Sequence, residues 1–252
     1  LMSIWGKVIG GAAGFALGGP LGAIMGAVAG HAVDKVKARE DGESPSAFTG
    51  YGPDAKQVAF TTAIIVLSAK IAKSDGQVTS DEIATFKRIF QIPAGEQEAV
   101  GQIWAEAKRD ADGFEPYARQ IADLFSNDPQ VLEELLGALF HIAKADGVMH
   151  PEELRMLNSI AITFGFDPNA FERMKKIHLG SDHRNDPYDI LGLKSSSSDD
   201  EVKKKYRELL REYHPDILMS KGVPKEFIEI ANDKVAEINA AYEQIEKERG
   251  IR

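Results

Sequence analysis

No charged residue stands between Lys7 and Asp34, a run of 26 residues with His31 counted as neutral. A helix of that length reaches about 39 Å, and about 20 residues suffice to cross a bilayer. Glycine recurs at every fourth position: Gly6, Gly10, Gly14, Gly18, Gly22, Gly26 and Gly30. On a helix this spacing makes a slowly winding stripe, and small residues there let two backbones approach closely, as in paired membrane helices. In water each such glycine would cost roughly 1 kcal/mol against alanine, which argues against a soluble buried helix. Residues 1–36 are therefore expected to form a glycine-rich transmembrane helix, with a lipid bilayer as partner and a homodimer through the stripe. Two rival readings stay open. Pro20 with its neighbouring glycines would divide the run into a hairpin. A cleaved signal peptide is the other, although the run is long for one and is followed by Asp34-Lys35-Val36-Lys37-Ala38-Arg39. Lys35, Lys37 and Arg39 outnumber Lys7, so the C-terminal side is expected to face the cytoplasm.

The chain has no cysteine, which excludes disulfides, thiol catalysis and cysteine zinc sites. Its net charge of −9 lies mostly in residues 48–186, which carry 14 basic and 21 acidic groups. No basic footprint for nucleic acid is present in that balance. Residues 37–53 read as a linker rich in Gly, Pro and acidic groups.

From Asp54 to about 179, apolar residues recur at helical spacing, and no convincing alternating strand appears. Helices are expected near 54–73, 80–91, 95–110, 114–126, 129–145, 151–165 and 168–177. An internal repeat organises this region. Ile71-Ala72-Lys73-Ser74-Asp75-Gly76, followed by Glu82, matches Ile142-Ala143-Lys144-Ala145-Asp146-Gly147, followed by Glu153, at a constant offset of 71 residues. Each copy is an apolar helix, a glycine stop and a new helix with a glutamate in its first turn. Capping explains much of it: Thr79 with Glu82 makes a capping box, and Pro151 suits a first helical position. The alternative is a divalent cation held by Asp75, Glu82, Asp146 and Glu153, although each turn lacks the dense oxygen ligands of an EF-hand. Both readings stay open.

Residues 180–186 (Gly180 to Asp186) read as a hinge. In 187–252, Pro187 to Leu191 is a short helix stopped by Gly192. Ser198 and Glu201 form a capping box for the next helix. Val202, Tyr206, Leu209, Leu210 and Tyr213 give that helix an apolar stripe, and Phe227, Ile230, Ala231, Ile238, Ala241 and Ile245 supply one to its partner. The two would zip into an antiparallel hairpin with His214-Pro215-Asp216 in a loop at its tip. Lys203, Lys204, Lys205, Arg207 and Arg211 concentrate positive charge beside that tip and suit an acidic partner surface. No nucleophile motif or zinc motif accompanies His214, so no catalytic residue is expected.

This C-terminal arrangement resembles the J-domain of DnaJ-type co-chaperones. The duplicated acidic turn resembles the TerB-like domain, an all-helical module some of whose members bind metal through acidic residues. In this order, and with the segment ends Ile4-Trp5-Gly6-Lys7-Val8-Ile9-Gly10 and Gly30-His31-Ala32-Val33-Asp34-Lys35, the chain resembles the DjlA-like family of membrane-anchored co-chaperones. The resemblance implies an all-α protein. Its parts are a membrane anchor (1–36), a linker (37–53), a TerB-like bundle (54–179), a hinge (180–186) and a J-domain hairpin (187–252). It implies a single-pass protein of a bacterial inner membrane with its C-terminal domains in the cytoplasm. It further implies docking on Hsp70 (DnaK) through His214, Pro215, Asp216, Tyr206, Lys203 and Arg207, stimulation of Hsp70 ATP hydrolysis, and a TerB-like domain that binds a partner or client. No cofactor is implied beyond the divalent cation. Ile217, where most relatives carry a basic residue, Val235, at a position often aromatic, and the long stretch 217–226 depart from the pattern. The rival reading is a metal-responsive or scaffolding membrane protein.

Overall fold

Proline opens six of the described helices, where a fixed φ suits the first turn and the missing N–H costs nothing. The computed structural model describes residues 53–74, 113–144, 147–179 and 186–250, with separate positions between 84 and 107. The glycine stripe from Gly6 to Gly30 lies outside the described residues, as do Asp75, Glu82 and Asp146. The chain is all-α, with no strand among the described residues.

The middle region holds α1 (Pro53–Ser74), α2 (Glu115–Leu124), α3 (Pro129–Ala143), α4 (Pro151–Thr163) and α5 (Pro168–Leu179). These agree with five of the expected helices to within two residues at each end. The described positions of the two remaining segments are helical as well, apart from a 3-10 turn at Ala94–Glu96. α1 is the hub, packed by α2, α3 and α4. Its residues from Ala59 to Ala72 are buried on every side, including Phe60, Ile64, Ile65 and Leu67 at 0% exposure. A helix apolar all round can be stable in water only when other helices cover it. Gly137 on α3 lets α5 approach, because a Cβ there would lie 3.0 Å from the His178 ring. Lys144 then closes the end of α5 by donating to the Leu179 carbonyl at 2.8 Å.

The C-terminal region holds α6 (Pro187–Leu191), α7 (Asp199–Glu212), α8 (Pro215–Lys221) and α9 (Ile228–Arg249). Asp186 caps α6, and Gly192 ends it in the left-handed region at φ 68. The expected capping box of α7 is present, with the Ser198 N–H donating to Glu201 at 2.7 Å and the Glu201 N–H to Ser198 at 3.3 Å. α7 and α9 zip through Val202, Leu209, Tyr213, Ile238, Ala241 and Ile245, with Tyr188 and Leu191 of α6 beneath them. Arg249 fastens the open end: it donates to the Tyr188 hydroxyl and to the carbonyls of Ser195 and Ser197, and pairs with Asp199 at 2.9 Å.

The tip differs from the loop that the sequence suggests. Residues 215–221 form α8, begun by the His214 cap and Pro215 and stopped by Gly222 at φ 109. Leu218, Val223 and Phe227 leave the hairpin and join the core of the middle region. Phe227 packs edge-on between Phe60 and Phe90, at centroid distances of 4.9 and 5.0 Å. Its expected place on the hairpin stripe is thus taken by contacts with the helical bundle. The reason is tertiary: α8 is too short to persist alone, and its apolar side chains find a larger apolar surface below than within the hairpin.

Candidate functional site

His214 sits where α7 has ended and α8 has not begun. Its Nδ1 accepts the backbone N–H of Asp216 at 3.2 Å, which in the neutral ring leaves the proton on Nε2. Pro215 fixes the first turn behind it. The side chains of His214 and Asp216 are exposed. The signature is therefore a rigid helix start with two polar groups facing solvent.

Beside it runs the basic stripe of α7. Lys203, Arg207 and Arg211 are spaced by four residues and share one face. Arg207 and Arg211 are exposed and Lys203 is half-buried. Helical periodicity puts Lys205 and Glu212 roughly opposite that stripe. Those two, with Leu209, line a cavity of about 300 Å³ whose far wall is Pro129, Gln130 and Arg173. The hairpin thus rests on the bundle through α6, α8 and α9, with Tyr213 at the end of α7, and leaves the basic face of α7 open. Tyr206 is half-buried between these faces. It stacks on Tyr242 at 3.9 Å, and its hydroxyl donates to Asn239 at 2.9 Å, so it also ties α7 to α9.

A charged network that sequence reasoning missed joins the hairpin to α3. The Glu133 carboxylate accepts the Tyr213 hydroxyl and pairs with Lys234 at 3.1 Å. Burial alone would raise the Glu133 carboxyl, but Lys234, the Tyr213 hydroxyl and Arg173 together hold it below the usual carboxylate range. Burial, then Glu133, pushes the Tyr213 phenol well up. Nearby, Lys221 pairs with Asp128 at 3.3 Å and donates to Gln130 at 3.1 Å. Lys56 of α1 meets the same Asp128 at 3.3 Å. The visible trace of this network is a pair of adjacent carboxylates, Glu133 and Glu134, in the otherwise apolar helix 131–143.

Glu134 faces a second cavity, of about 320 Å³, with His141, His178, Lys234 and Glu237 around it. Burial, with Glu133 adding to it, raises the Glu134 carboxyl to about 8. Burial, then His141, lowers His178 to about 3. His178 lies flat on Phe140, 5.5 Å between centroids, as a neutral, half-buried ring.

Of the acidic-turn residues, Glu153 is described. It is 1% exposed, and its carboxylate accepts the His150 backbone N–H at 3.0 Å, which is the capping role. No cluster of three or more His, Asp or Glu suited to a metal ion occurs among the described residues.

A helical bundle followed by a hairpin that presents an exposed His-Pro-Asp beside a basic helix defines a J-domain protein, and comparison with known families agrees. The DnaJ domain matches residues 186–250, tellurite resistance protein TerB matches 61–176, and the co-chaperone DjlA transmembrane domain matches 2–44. The chain is 32% identical to the co-chaperone protein DjlA of Photobacterium profundum, over 99% of this chain and all of that one. It is 34% identical to that of Shewanella oneidensis over the full length of both, and 32% identical to that of Coxiella burnetii over 98% of each. No solved structure matches. The chain belongs to the DjlA co-chaperone family. It is a J-domain co-chaperone with a membrane-associated N-terminal segment. Among the described residues, no helix is long and apolar enough to cross a membrane.

Proposed function

We propose that this chain recruits a bacterial Hsp70 to the inner membrane and accelerates its ATP hydrolysis. The observation that carries the reading is the open face of α7, where Arg207, Arg211, His214 and Asp216 are exposed together although the hairpin is docked. An acidic groove on Hsp70 would meet the basic stripe first, since complementary charge speeds encounter and fixes orientation. Lys203, Arg207 and Tyr206 would line the contact, and His214, Pro215 and Asp216 would reach the trigger point. Hydrolysis accelerates only if the docked face binds the hydrolysis-competent state of Hsp70 more tightly than the resting one. The nucleotide and its chemistry belong to Hsp70.

The TerB-like domain serves as the platform for a partner or client in this reading, with a divalent cation at Asp75, Glu82, Asp146 and Glu153 as a proposed addition. The anchor crosses the membrane once, pairs through its glycine stripe and leaves the later domains in the cytoplasm, in keeping with Lys35, Lys37 and Arg39. Vesicle flotation tests recruitment. Hsp70 with ATP is expected to float with vesicles carrying the full chain, and to stay at the bottom when they carry Asp216→Asn. Equal flotation by both, or by neither, refutes the reading.

A further inference from the structure

The signature is strung between two anchors on one helix of the middle domain. Upstream, Tyr213 ends α7 and directly precedes His214. It is 4% exposed, and its hydroxyl is held by Glu133 of α3. Downstream, Lys221 at the end of α8 is held by Asp128 and Gln130 at the start of α3. Leu218, between them, is fully buried in the middle-domain core. His214 and Asp216 lie inside this bracket and remain exposed.

Glu133 is used from both sides. One carboxylate oxygen takes the Tyr213 hydroxyl, and the other takes Lys234 of α9 at 3.1 Å. Lys234 also stands 5.7 Å from the centre of the Tyr213 ring. The phenol therefore has one fixed place, set by a carboxylate 80 residues away in sequence. A phenol has few torsions, so fixing its hydroxyl fixes the backbone that carries it. That backbone is the one from which the signature departs.

We propose that Glu133 and Lys234 are positioning residues: through the Tyr213 hydroxyl, the middle domain sets the orientation of His214, Pro215 and Asp216 relative to the basic stripe of α7. The inference rests on the co-chaperone reading above. It makes the TerB-like domain part of the J-domain's working surface, in addition to any client it carries. Docking strength comes from the exposed face of α7, which the bracket does not touch. The efficiency of the trigger comes from the bracket.

The test titrates Hsp70 with the full chain in nanodiscs and reads single-turnover ATP hydrolysis. Tyr213→Phe removes one hydroxyl and leaves the Glu133–Lys234 pair in place. Its plateau rate is expected to fall at least threefold, with the half-maximal concentration within twofold of the unaltered chain. A purely structural role gives the opposite split, because a smaller folded fraction shifts the half-maximal concentration and spares the plateau. Glu133→Gln is expected to lower the plateau too, and the double variant to be no worse than the poorer single one. Without Hsp70, the His214 ring resonances should shift in Tyr213→Phe. An unchanged plateau, a shift in half-maximal concentration alone, or unmoved His214 resonances overturns the inference while co-chaperone activity stands. Absence of acceleration by the unaltered chain overturns the co-chaperone reading and this inference with it.

Discussion

Phe227→Ala tests whether hairpin and bundle form one folding unit. Phe227 belongs by sequence to the C-terminal region, yet it is 2% exposed within the middle-domain core. Its ring touches Phe60 and Phe90, Phe90 lies 4.2 Å from Phe86, and Phe86 lies 4.3 Å from Trp104. An unbroken file of rings therefore links the perturbation to a natural reporter. Deleting a buried phenylalanine costs about 3–5 kcal/mol through lost transfer energy and the cavity left behind. Taking about 4 kcal/mol and a urea slope of about 2.5 kcal/mol/M, the unfolding midpoint falls by about 1.6 M. The assay is urea unfolding of the full chain in mild detergent, followed by tryptophan fluorescence. Trp5→Phe makes Trp104 the single tryptophan, since the chain has two. If hairpin and bundle were independent, the Trp104 transition would not notice the change. A midpoint within about 0.3 M of the parent's refutes the shared core, 0.3 M being well inside the shift that the slope implies.

Three further outcomes follow from buried charge and backbone. Glu134 has a carboxyl raised from 4.5 to about 8, so the folded state holds its proton more tightly and stability falls as pH rises through that window. His178 is lowered from 6.5 to about 3, so stability falls as pH drops from 6.5 toward 3. The two slopes oppose each other between 4.5 and 6.5. Above that, Glu134→Gln should remove the alkaline loss, with a ceiling of about 2 kcal/mol between pH 6.5 and 8, and a parallel pH-stability curve for the variant would contradict it. Lys234→Met leaves Glu133 charged and buried and should cost about 3–5 kcal/mol in chemical unfolding, much of it recovered when Glu133→Gln is added; no recovery would show that the pair is not what is lost. Gly222→Ala forces a side chain into φ 109 and places its Cβ 2.5 Å from that of Lys56, so thermal unfolding should register a loss of about 3 kcal/mol, and a neutral result would rule out this close approach.

What the sequence made legible was local. Caps, stops and stripes are written within a few residues, so the Ser198–Glu201 box, the Gly192 stop and the apolar face of α7 could be read directly. The His150–Pro151–Glu153 helix start was readable for the same reason, and the structure shows Glu153 capping there. The contacts that place the hairpin were not legible, because they join residues that only the fold brings together. Nothing near Tyr213 points to Glu133, and nothing near Phe227 points to Phe60 or Phe90. Seven residues from Pro215 to Lys221 carry too little helical signal to stand out from a loop, and their order comes from the core into which Leu218 inserts. The basic stripe and the signature follow one another in the chain and could be read as neighbours. That they stay exposed while α8 and α9 are docked is a property of the assembled domains.

The most direct test of the co-chaperone role is single-turnover ATP hydrolysis by a bacterial Hsp70, with and without the full chain in nanodiscs and with His214→Gln alongside. The unaltered chain should accelerate hydrolysis, and the acceleration should vanish in the variant while its helical content and unfolding midpoint are kept. No acceleration by the folded chain, or the same acceleration with His214→Gln, would contradict that role.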